Sequence, residues 1–403
     1  MAERSIPLSV PNLQGRELEL VTKAVETEWV STAGPYVAQF ENKIAEYVNA
    51  PGAVACQSGT AGLHIALKLC GVMPHDLVIV PTLTFIAAVN PVRYQGADPV
   101  FMDCDDSLCM DPVKLEEFCK EECELRDKVL YHKATGRRIP AMTVVHVFGN
   151  MADMETIMAI ADKYCLKVIE DATEALGTRY LDSHDGKYAG RYAGTMGDIG
   201  VYSFNGNKII TTGGGGMIVS EDEELLKRAK HLTTQAKADA ENFVHDEIGY
   251  NYRLTNLQAA LGVAQLEQLE EFIRIKTENH EIYRGILDGK RLNTKNIIKN
   301  SVIMNILPFR EDIRSNHWFY SLYLKENGDC GACARDEVIA YLKELNIQTR
   351  PIWGLIHEQK PYEGSICHKI EKAVEYQRRV VNLPCSSSLT GEDAEYVARR
   401  LMA

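Results

Sequence analysis

Three short stretches of the sequence contain residue types that could do chemistry together. Gly59 and Thr60 directly precede an apolar, helix-like run, where unpaired backbone N–H groups and a partial positive charge would suit a phosphate. Glu170 and Asp171 close the strand-like start of "KVIEDATEALG", and Lys208 lies among small polar residues in "SFNGNKIITTGGGGM". A helix end, an acid and a lysine are thus placed in that order along the chain.

Each stretch also has a plainer interpretation. Ser58 or Thr60 could simply cap the helix, an acid after a strand could cap the next helix, and a lysine beside a glycine run is usually a solvated charge. Strand alternation sends Glu170 and Asp171 to opposite faces, so only one of them can face a shared pocket. Together, however, the three parts match pyridoxal phosphate chemistry. There, a helix end binds the phosphate, a carboxylate keeps the pyridine nitrogen protonated and a lysine bonds to the cofactor.

The elements that would position these residues follow an alternating pattern. From residue 77 to 220, short β-branched runs such as "LVIVPT", "MTVVHVFGN" and "GMIVS" alternate with helix-like segments, including 152–164. This pattern predicts a mostly parallel sheet with helices on both faces, with ligands bound beyond the carboxyl ends of its strands. Residues 254–286 are helical in pattern throughout, residues beyond about 290 predict a small α+β domain, and 123–140 reads as a hairpin insertion.

Composition excludes several classes of protein. The 403 residues, 45% of them hydrophobic and 25% charged, indicate a globular chain with a substantial core. The net charge of −12 lacks a compensating basic block, which argues against a nucleic-acid partner. No apolar h-region or membrane-length run is found, so we expect a cytoplasmic protein without a membrane partner. The scattered cysteines, including the pairs Cys119 with Cys123 and Cys330 with Cys333, do not predict a metal site.

The motifs resemble those of a known family. "SGTAGLH", "PTLTFIA", "VIEDATEALG", "SFNGNK" and "GYNYRLTNLQAA" are similar to motifs of the DegT/DnrJ/EryC1/StrS nucleotide-sugar aminotransferases, and the resemblance covers nearly the whole chain. Within that group, "SFNGNKIITTGGGGM" and "EDATE" resemble most the 4-aminotransferases of bacillosamine and legionaminic acid synthesis. The resemblance implies the α/β architecture of the PLP-dependent transferases of fold type I. A large α/β/α domain would span residues 1–255, and a small C-terminal α+β domain would span residues 256–403.

The resemblance also implies roles for individual residues, with pyridoxal 5'-phosphate as the cofactor. Lys208 would be the lysine that bonds to the cofactor, and Asp171 would be the partner of the pyridine nitrogen. Further cofactor contacts would come from Gly59, Thr60 and Ser203 at the phosphate, Phe85 and Glu174 at the ring faces, and Asn251 of the neighbouring subunit. Many relatives carry His or Gln where this chain has Glu174. Candidate substrate contacts are Ser31, Thr32, Arg253, Trp353 and His357. A phosphate contact from a neighbouring subunit implies a homodimer with composite active sites.

The implied reaction moves an amino group from L-glutamate to a keto sugar carried on a nucleotide diphosphate. The resemblance favours amination at C4 of UDP-2-acetamido-2,6-dideoxy-hexos-4-ulose, for bacterial surface glycan synthesis. A GDP-linked 4-keto sugar, a 3-keto sugar and a non-catalytic sugar-nucleotide-binding protein are the alternatives. Lys208 argues against a related dehydratase, which carries His at that position. No G-x-G-x-x-G opens a helix after an early strand, which argues against a dehydrogenase.

Overall fold

The computed structural model describes residues 4–292, 302–326 and 331–402. The helices are α1 (Glu17–Glu26), α2 (Pro35–Tyr47), α3 (Gly59–Leu69), α4 (Asn90–Tyr94), α5 (Pro112–Glu121), α6 (Met154–Tyr164), α7 (Glu223–Thr233), α8 (Asn256–Leu266), α9 (Leu269–Leu287), α10 (Gly331–Glu344), α11 (Lys372–Arg379) and α12 (Gly391–Met402).

The strands fall into one large sheet, one smaller sheet and short ribbons. They are β1 (Ala53–Cys56), β2 (Leu77–Pro81), β3 (Asp98–Met102), β4 (Cys123–Arg126), β5 (Val129–His132), β6 (Arg138–Ile139), β7 (Ala141–Val145), β8 (Lys167–Asp171), β9 (Arg179–Tyr180), β10 (Ile199–Ser203), β11 (Gly216–Val219), β12 (Lys237–Asp239), β13 (Val244–His245), β14 (Lys290–Arg291), β15 (Val302–Ile306), β16 (Ile313–Arg314), β17 (Tyr320–Glu326), β18 (Arg350–Pro351), β19 (Ile366–His368) and β20 (Val380–Leu383).

The large sheet has the order β1-β11-β10-β8-β7-β2-β3-β19. The strands from β10 to β19 pair in parallel, and only β11 pairs antiparallel to its two neighbours. Every residue of β2 and β7 is buried, as expected of apolar strands covered on both faces. The predicted mostly parallel sheet is therefore confirmed, and its parallel strands end at one common edge.

The C-terminal part of the chain forms an antiparallel sheet of order β14-β15-β17-β20-β18. Helices α9, α10 and α11 pack against this sheet, which gives the α+β composition predicted for this region. Strand β19 also lies in the C-terminal part of the chain, but it pairs in parallel with β3 at the edge of the large sheet. The chain therefore returns to the large sheet long after residue 255. The domain boundary predicted at that residue stays a prediction.

Residues 254–286 do not form the single long helix that their pattern predicts. They form α8 and α9, with a break at Glu267 and Gln268. The side chains of Gln265 and Gln268 both donate to Glu17 Oε1, at 2.6 and 2.5 Å. This contact with α1 lies outside the segment, so the helical periodicity of the segment could not reveal it.

The predicted hairpin insertion at 123–140 is a three-stranded ribbon, β4-β5-β6. Arg137 donates to the carbonyl oxygens of His75 and Asp76, and Arg138 pairs with the Asp76 carboxylate at 2.6 Å. These partners lie immediately before β2, at the amino ends of the parallel strands. The insertion is therefore anchored at the end of the sheet opposite to the carboxyl ends. Within the described residues, no helix is long and apolar enough to cross a membrane.

A buried acid joins the C-terminal part to the large sheet. Asp103 follows β3 and accepts N–H groups of Glu371, Lys372 and Ala373 at 2.8 to 2.9 Å, and Lys114 Nζ lies 2.7 Å from its carboxylate. Burial acts to raise the pKa of Asp103, but Lys114 and the three N–H groups bring it below its usual value. Its charge therefore caps α11 and fixes the start of that helix.

Replacing this acid tests the anchor. Asp103→Asn should lower the free energy of unfolding by about 3 kcal/mol, because a buried charge is lost while its donors stay in place. The matched control is Asp106→Asn on the same loop, whose side chain is 87% exposed and pairs with Lys372. An exposed pair contributes about 0 to 1 kcal/mol, so this variant should melt close to the wild type. Equal melting temperatures of both variants would contradict the anchoring role.

Candidate active site

A cavity of about 380 Å³ lies at the carboxyl ends of the parallel strands. Its walls come from α3, from the ends of β7, β8 and β10, from the loop after β10 and from the C-terminal part. Most of the predicted site residues line it, namely Gly59, Thr60, Phe85, Asp171, Glu174, Ser203, Lys208 and Trp353. Residues separated by up to 294 positions in sequence are thus brought to one place, at the sheet edge where ligands are expected.

The N-terminus of α3 forms one wall of the cavity. Ser58 is the N-cap, and its hydroxyl accepts the N–H of Ala61 at 3.1 Å, which leaves the first N–H groups of the helix facing the cavity. A Cβ atom on Gly59 would lie 3.0 Å from side-chain atoms of both Ser203 and Thr173. Glycine therefore lets the helix end approach these hydroxyl-bearing residues closely, and the wall suits an anion.

Glu170 and Asp171 have opposite environments, as strand alternation predicts. Glu170 points away from the cavity, is fully buried and accepts bonds from His146 at 2.8 Å and from the backbone of Gly194 and Met196 at 2.8 and 2.6 Å. Burial acts to raise the pKa of Glu170, but these donors bring it below its usual value. Glu170 is therefore an ionised structural acid.

Asp171 lines the cavity and has fewer partners. The N–H of Thr173 donates to its carboxylate at 3.1 Å. Burial raises the pKa of Asp171, and Thr173 and the charge of Lys208 offset that shift only in part. A carboxylate in this position would gain from a nearby cation, because a charge-assisted hydrogen bond would compensate for its lost hydration.

Lys208 projects into the same cavity from the turn after β10. Its side chain is 11% exposed, and its Nζ atom lies 3.6 Å from Oε1 of Glu174. On another side, Nζ lies 4.1 Å from the centre of the Trp318 ring, within the range of a cation–π contact. The lysine is therefore a confined cation and not the solvated surface charge of the plainer interpretation.

Glu174 faces Lys208 from the loop after β8. Its second oxygen, Oε2, accepts the N–H of Phe148 at 2.9 Å. Burial raises the pKa of Glu174 to about 7, even though Lys208 and the Phe148 N–H act in the opposite direction. The carboxyl group can therefore change its protonation state near neutral pH.

Aromatic side chains line the rest of the cavity. Phe85 is 53% exposed although it is a large apolar residue, and its ring is available to a planar ligand. Trp353 lies 4.5 Å from the ring of Phe148, centre to centre. Trp318 is not among the predicted site residues, and the structure adds it to the site. No local signal identified it, because folding brings it to Lys208 although the two residues are 110 positions apart in sequence.

The remaining predicted residues do not line this cavity in the part of the chain that the structure describes. Asn251 is exposed and forms a bridge with Thr234, and Arg253 has a buried Nε atom without a hydrogen-bond partner among the described residues. The Ser31 carbonyl accepts the N–H of Asn256 at 2.6 Å, which fixes the loop that also contains Thr32. His357 Nδ1 lies 2.6 Å from the Thr82 hydroxyl, and burial lowers the pKa of this imidazole.

The structure describes one of the two cysteine pairs considered from sequence in full. Cys119 and Cys123 are buried free thiols, and burial raises the pKa of both. Cys330 lies outside the described residues.

A separate group of residue types that can bind metals lies away from the cavity. Ligand atoms of His231, Asp246 and Glu247 lie within 4.8 Å of one another. Arg228 already pairs with Glu247 at 2.5 Å, and none of these four residues lines the cavity.

The donor set of the cavity fits pyridoxal 5'-phosphate. The N-terminus of α3 suits the phosphate, Phe85 presents an exposed ring, and Asp171 is a buried carboxylate whose pKa is raised by burial. Lys208 supplies the amine in the same cavity. These features, on a mostly parallel sheet with an antiparallel C-terminal sheet, define a protein of the fold type I class of PLP-dependent enzymes.

Comparison with known proteins identifies the family. Residues 11–402 match the DegT/DnrJ/EryC1/StrS aminotransferase family, and the chain belongs to that family. A GDP-perosamine synthase of Escherichia coli O157:H7 is 36% identical, with 98% of this chain and 97% of that protein covered. A putative pyridoxal phosphate-dependent aminotransferase, EpsN of Bacillus subtilis (strain 168), is 35% identical, with coverage of 99% and 95%.

A solved structure agrees with this assignment. The crystal structure of a DegT DnrJ EryC1 StrS aminotransferase from Brucella abortus has a TM-score of 0.82 and 26% identity, with 96% of this chain and 94% of that chain covered. The protein is therefore an aminotransferase, its cofactor is pyridoxal 5'-phosphate, and the predicted fold type I is confirmed. The roles of individual residues stay predictions.

Replacing Glu170 and replacing Asp171 should change the stability of the fold in opposite directions. In cofactor-free protein near about pH 8, Glu170→Gln should lower the free energy of unfolding by about 3 kcal/mol, because the ionised acceptor of several buried donors is lost. Asp171→Asn should raise the melting temperature, because an amide keeps the oxygen that accepts the Thr173 N–H and carries no buried charge.

The dependence on pH follows from the two pKa directions. Glu170 has a lowered pKa, so its ionised form stabilises the fold at pH values above the usual pKa of a glutamate. That stabilisation is lost as the pH falls through the pKa of Glu170 in the folded protein. Asp171 has a raised pKa, so stability is lost as the pH rises through its folded value. Thermal melts of both variants across pH provide the measurement. A change of the same sign in both variants would disagree with these environments.

Proposed function

We propose that the protein transfers the amino group of L-glutamate to C4 of a UDP-linked 4-keto-6-deoxy sugar, UDP-2-acetamido-2,6-dideoxy-hexos-4-ulose. The product would serve the synthesis of a bacterial surface glycan. The observation that carries the proposal is the meeting of Lys208, Asp171 and the N-terminus of α3 around one cavity. Family membership supplies the reaction class, and the acceptor rests on the motifs that resemble the bacillosamine and legionaminic acid enzymes.

The side chains around the cavity would divide the work. Bound pyridoxal phosphate supplies an electron sink that stabilises negative charge on the carbon bearing the amine. Lys208 would hold the cofactor between turnovers and carry the proton removed from that carbon. Asp171 would keep the pyridine nitrogen protonated by a charge-assisted hydrogen bond. Gly59, Thr60 and Ser203 would hold the phosphate, while Phe85 would cover one face of the ring and exclude water.

A second copy of the chain would complete the site. Asn251 is exposed, and Arg253 carries a buried Nε atom that no described residue of its own chain satisfies. Nearby, the β12-β13 ribbon and the residues after it expose Phe243, Val244 and Ile248, which suits burial against a partner. A homodimer in which Asn251 and Arg253 act across the subunit boundary accounts for these features together.

The acceptor must bring its keto carbon to Lys208 while its nucleotide lies outside the inner cavity. Thr84, Asn205, Asn207 and Trp353 line the cavity and offer polar and aromatic contacts to a sugar. The loop at 28–34 and His357 lie outside the inner cavity and stay candidate substrate contacts. The ribbon at 123–139 is anchored at the far end of the sheet, so it would not contact the sugar.

A GDP-linked 4-keto sugar is the second candidate. One observation favours it, namely the 36% identity to a protein named GDP-perosamine synthase. That name applies to the relative, and the two candidates share the reaction at C4. They differ in the base and in the substituent at C2 of the sugar, so a direct comparison of acceptors can separate them.

The test supplies purified enzyme with L-glutamate and, in separate reactions, UDP-, GDP- and dTDP-linked 4-keto sugars and a nucleotide-linked 3-keto sugar. We expect the UDP-linked N-acetylated acceptor to have a kcat/KM at least roughly tenfold above the others, because a site that pairs a substrate's polar groups rejects analogues lacking them. NMR of the product should place the new amine on C4. A preference for the GDP-linked sugar would establish the second candidate, and a preference for a dTDP-linked or a 3-keto acceptor would refute both.

Mixing subunits tests the composite site. Lys208→Ala and Asn251→Ala chains should each be nearly inactive alone, and unfolding and refolding them together should restore about a quarter of the wild-type activity. The reason is that half of the randomly formed dimers are hybrids, and each hybrid has one site with both native residues.

The control is the double variant, Lys208→Ala with Asn251→Ala in one chain, mixed with wild type. Its hybrids contain one site without Lys208 and one site without the partner's Asn251, so this mixing should restore no activity beyond that of the wild-type homodimers. Hybrid formation is verified by a charge tag on one chain. Proven hybrids of the two single variants without recovered activity would place Asn251 in its own subunit's site or outside any site.

A further inference from the structure

The immediate surroundings of Lys208 contain an acid, Glu174, for which the family resemblance implies only a contact with the cofactor ring. Among the described residues, Glu174 is the acid that forms an ion pair with Lys208, with Nζ and Oε1 separated by 3.6 Å. Asp171, the predicted partner of the pyridine nitrogen, forms no such pair. Two carboxyl groups therefore serve one cavity, and one of them is placed against the amine that must gain and lose protons.

We propose that Glu174 is a catalytic acid–base group that exchanges a proton with the amine of Lys208. In one direction, an N–H bond of the Lys208 ammonium breaks, its electron pair stays on nitrogen, and an O–H bond forms on Glu174. The reverse step restores the ammonium and the carboxylate, so the exchange needs no other reactant. This inference rests on the proposed function of Lys208 as the proton carrier of transamination.

The position of Glu174 is fixed from its other side. Oε2 accepts the N–H of Phe148, so Oε1 is the oxygen left to face Lys208. Phe148, whose N–H makes this contact, has a positive φ of 57°. At the following position, a Cβ atom on Gly149 would lie 1.9 Å from Oδ1 of Asn316, so only glycine fits there. The loop is therefore shaped to donate to Glu174.

Asn316 ties both neighbours of Lys208 together. Its Nδ2 atom donates to the carbonyl of Glu174 at 2.9 Å, and its Oδ1 atom accepts the N–H of Trp318 at 3.0 Å. The Trp318 indole in turn donates to the carbonyl of Asn207, the residue before Lys208, at 2.8 Å. A closed set of contacts thus fixes the acid and the aromatic ring on either side of the amine.

The charges facing Glu174 suit proton exchange. Burial raises its pKa to about 7, Lys208 and the Phe148 N–H lower it, and Asp171 adds a smaller increase. His146 lies behind Asp171 and is committed to Glu170 at 2.8 Å. A group with a pKa near the operating pH is effective both as an acid and as a base, whereas an ordinary glutamate would be a weak base only. The separation of 3.6 Å is longer than a hydrogen bond, and catalytic hydrogen bonds are often long when no ligand is bound.

Infrared spectroscopy of cofactor-free protein tests this assignment without any turnover. The carbonyl stretch of a protonated buried carboxyl should disappear as the pH rises through about 7, and Glu174→Gln should abolish this titration. Lys208→Ala should move it to higher pH, because the neighbouring positive charge is gone. The control is Asp105→Asn, which removes another acid whose pKa burial raises but which does not line the cavity. This variant should keep the Lys208-sensitive signal.

The glutamate half-reaction provides the second readout and requires no sugar. In cofactor-loaded Glu174→Gln, the maximal rate of this half-reaction should fall roughly 10²-fold, with the KM for glutamate within a few-fold of wild type. The ionisation near neutral pH should also vanish from its pH profile. An unchanged titration in Glu174→Gln, a titration insensitive to Lys208→Ala, or a wild-type pH profile would each overturn the proposal. Failure of every nucleotide sugar as an acceptor would refute the proposed substrate and leave these measurements intact.

Discussion

The confinement of charge around Lys208 is the constraint on which the site depends. One ammonium group and the carboxyl groups of Asp171 and Glu174 line a cavity in which they are largely removed from water. Separated buried charges cost free energy that the fold must supply elsewhere, and the raised pKa of both acids is the direct sign of that cost. A ligand that carries both a cation and an anion would recover much of the cost, so the charges favour a zwitterionic cofactor over an empty cavity.

The sheet and the C-terminal part hold these charges in different ways. Asp171 is placed by strand alternation, because its neighbour Glu170 fills the other face with hydrogen bonds to His146 and the backbone. Glu174 and Lys208 lie on loops, where strand alternation does not set the direction of a side chain. Asn316, from the C-terminal part, fixes the surroundings of Lys208 instead, since it binds both the Glu174 carbonyl and the Trp318 N–H. The rigid sheet therefore fixes one acid, and a buried amide fixes the contacts of the amine.

The sequence predicted those features that depend on local pattern or on order along the chain. The apolar run of β2 predicts a buried parallel strand, and the succession of helix end, acid and lysine predicts the cavity. Contacts between distant segments left no such trace. Glu17 accepts hydrogen bonds at the break between α8 and α9, and the meeting of Trp318 with Lys208 depends on how the C-terminal part packs. Periodicity within a segment contains no information about such partners.

The cavity is built from both the large sheet and the C-terminal part of the chain. Trp318 and Trp353 belong to the C-terminal part, yet both line the cavity at the carboxyl ends of the large sheet. Strand β19 pairs with β3, and Asp103 after β3 caps α11, so backbone pairing and a buried charge join the parts at the sheet edge. A displacement of the C-terminal part would move the ring beside Lys208 and the amide that orients Glu174. The surroundings of the amine are thus coupled to the packing of the two sheets, and the cavity is lined from both parts of the chain.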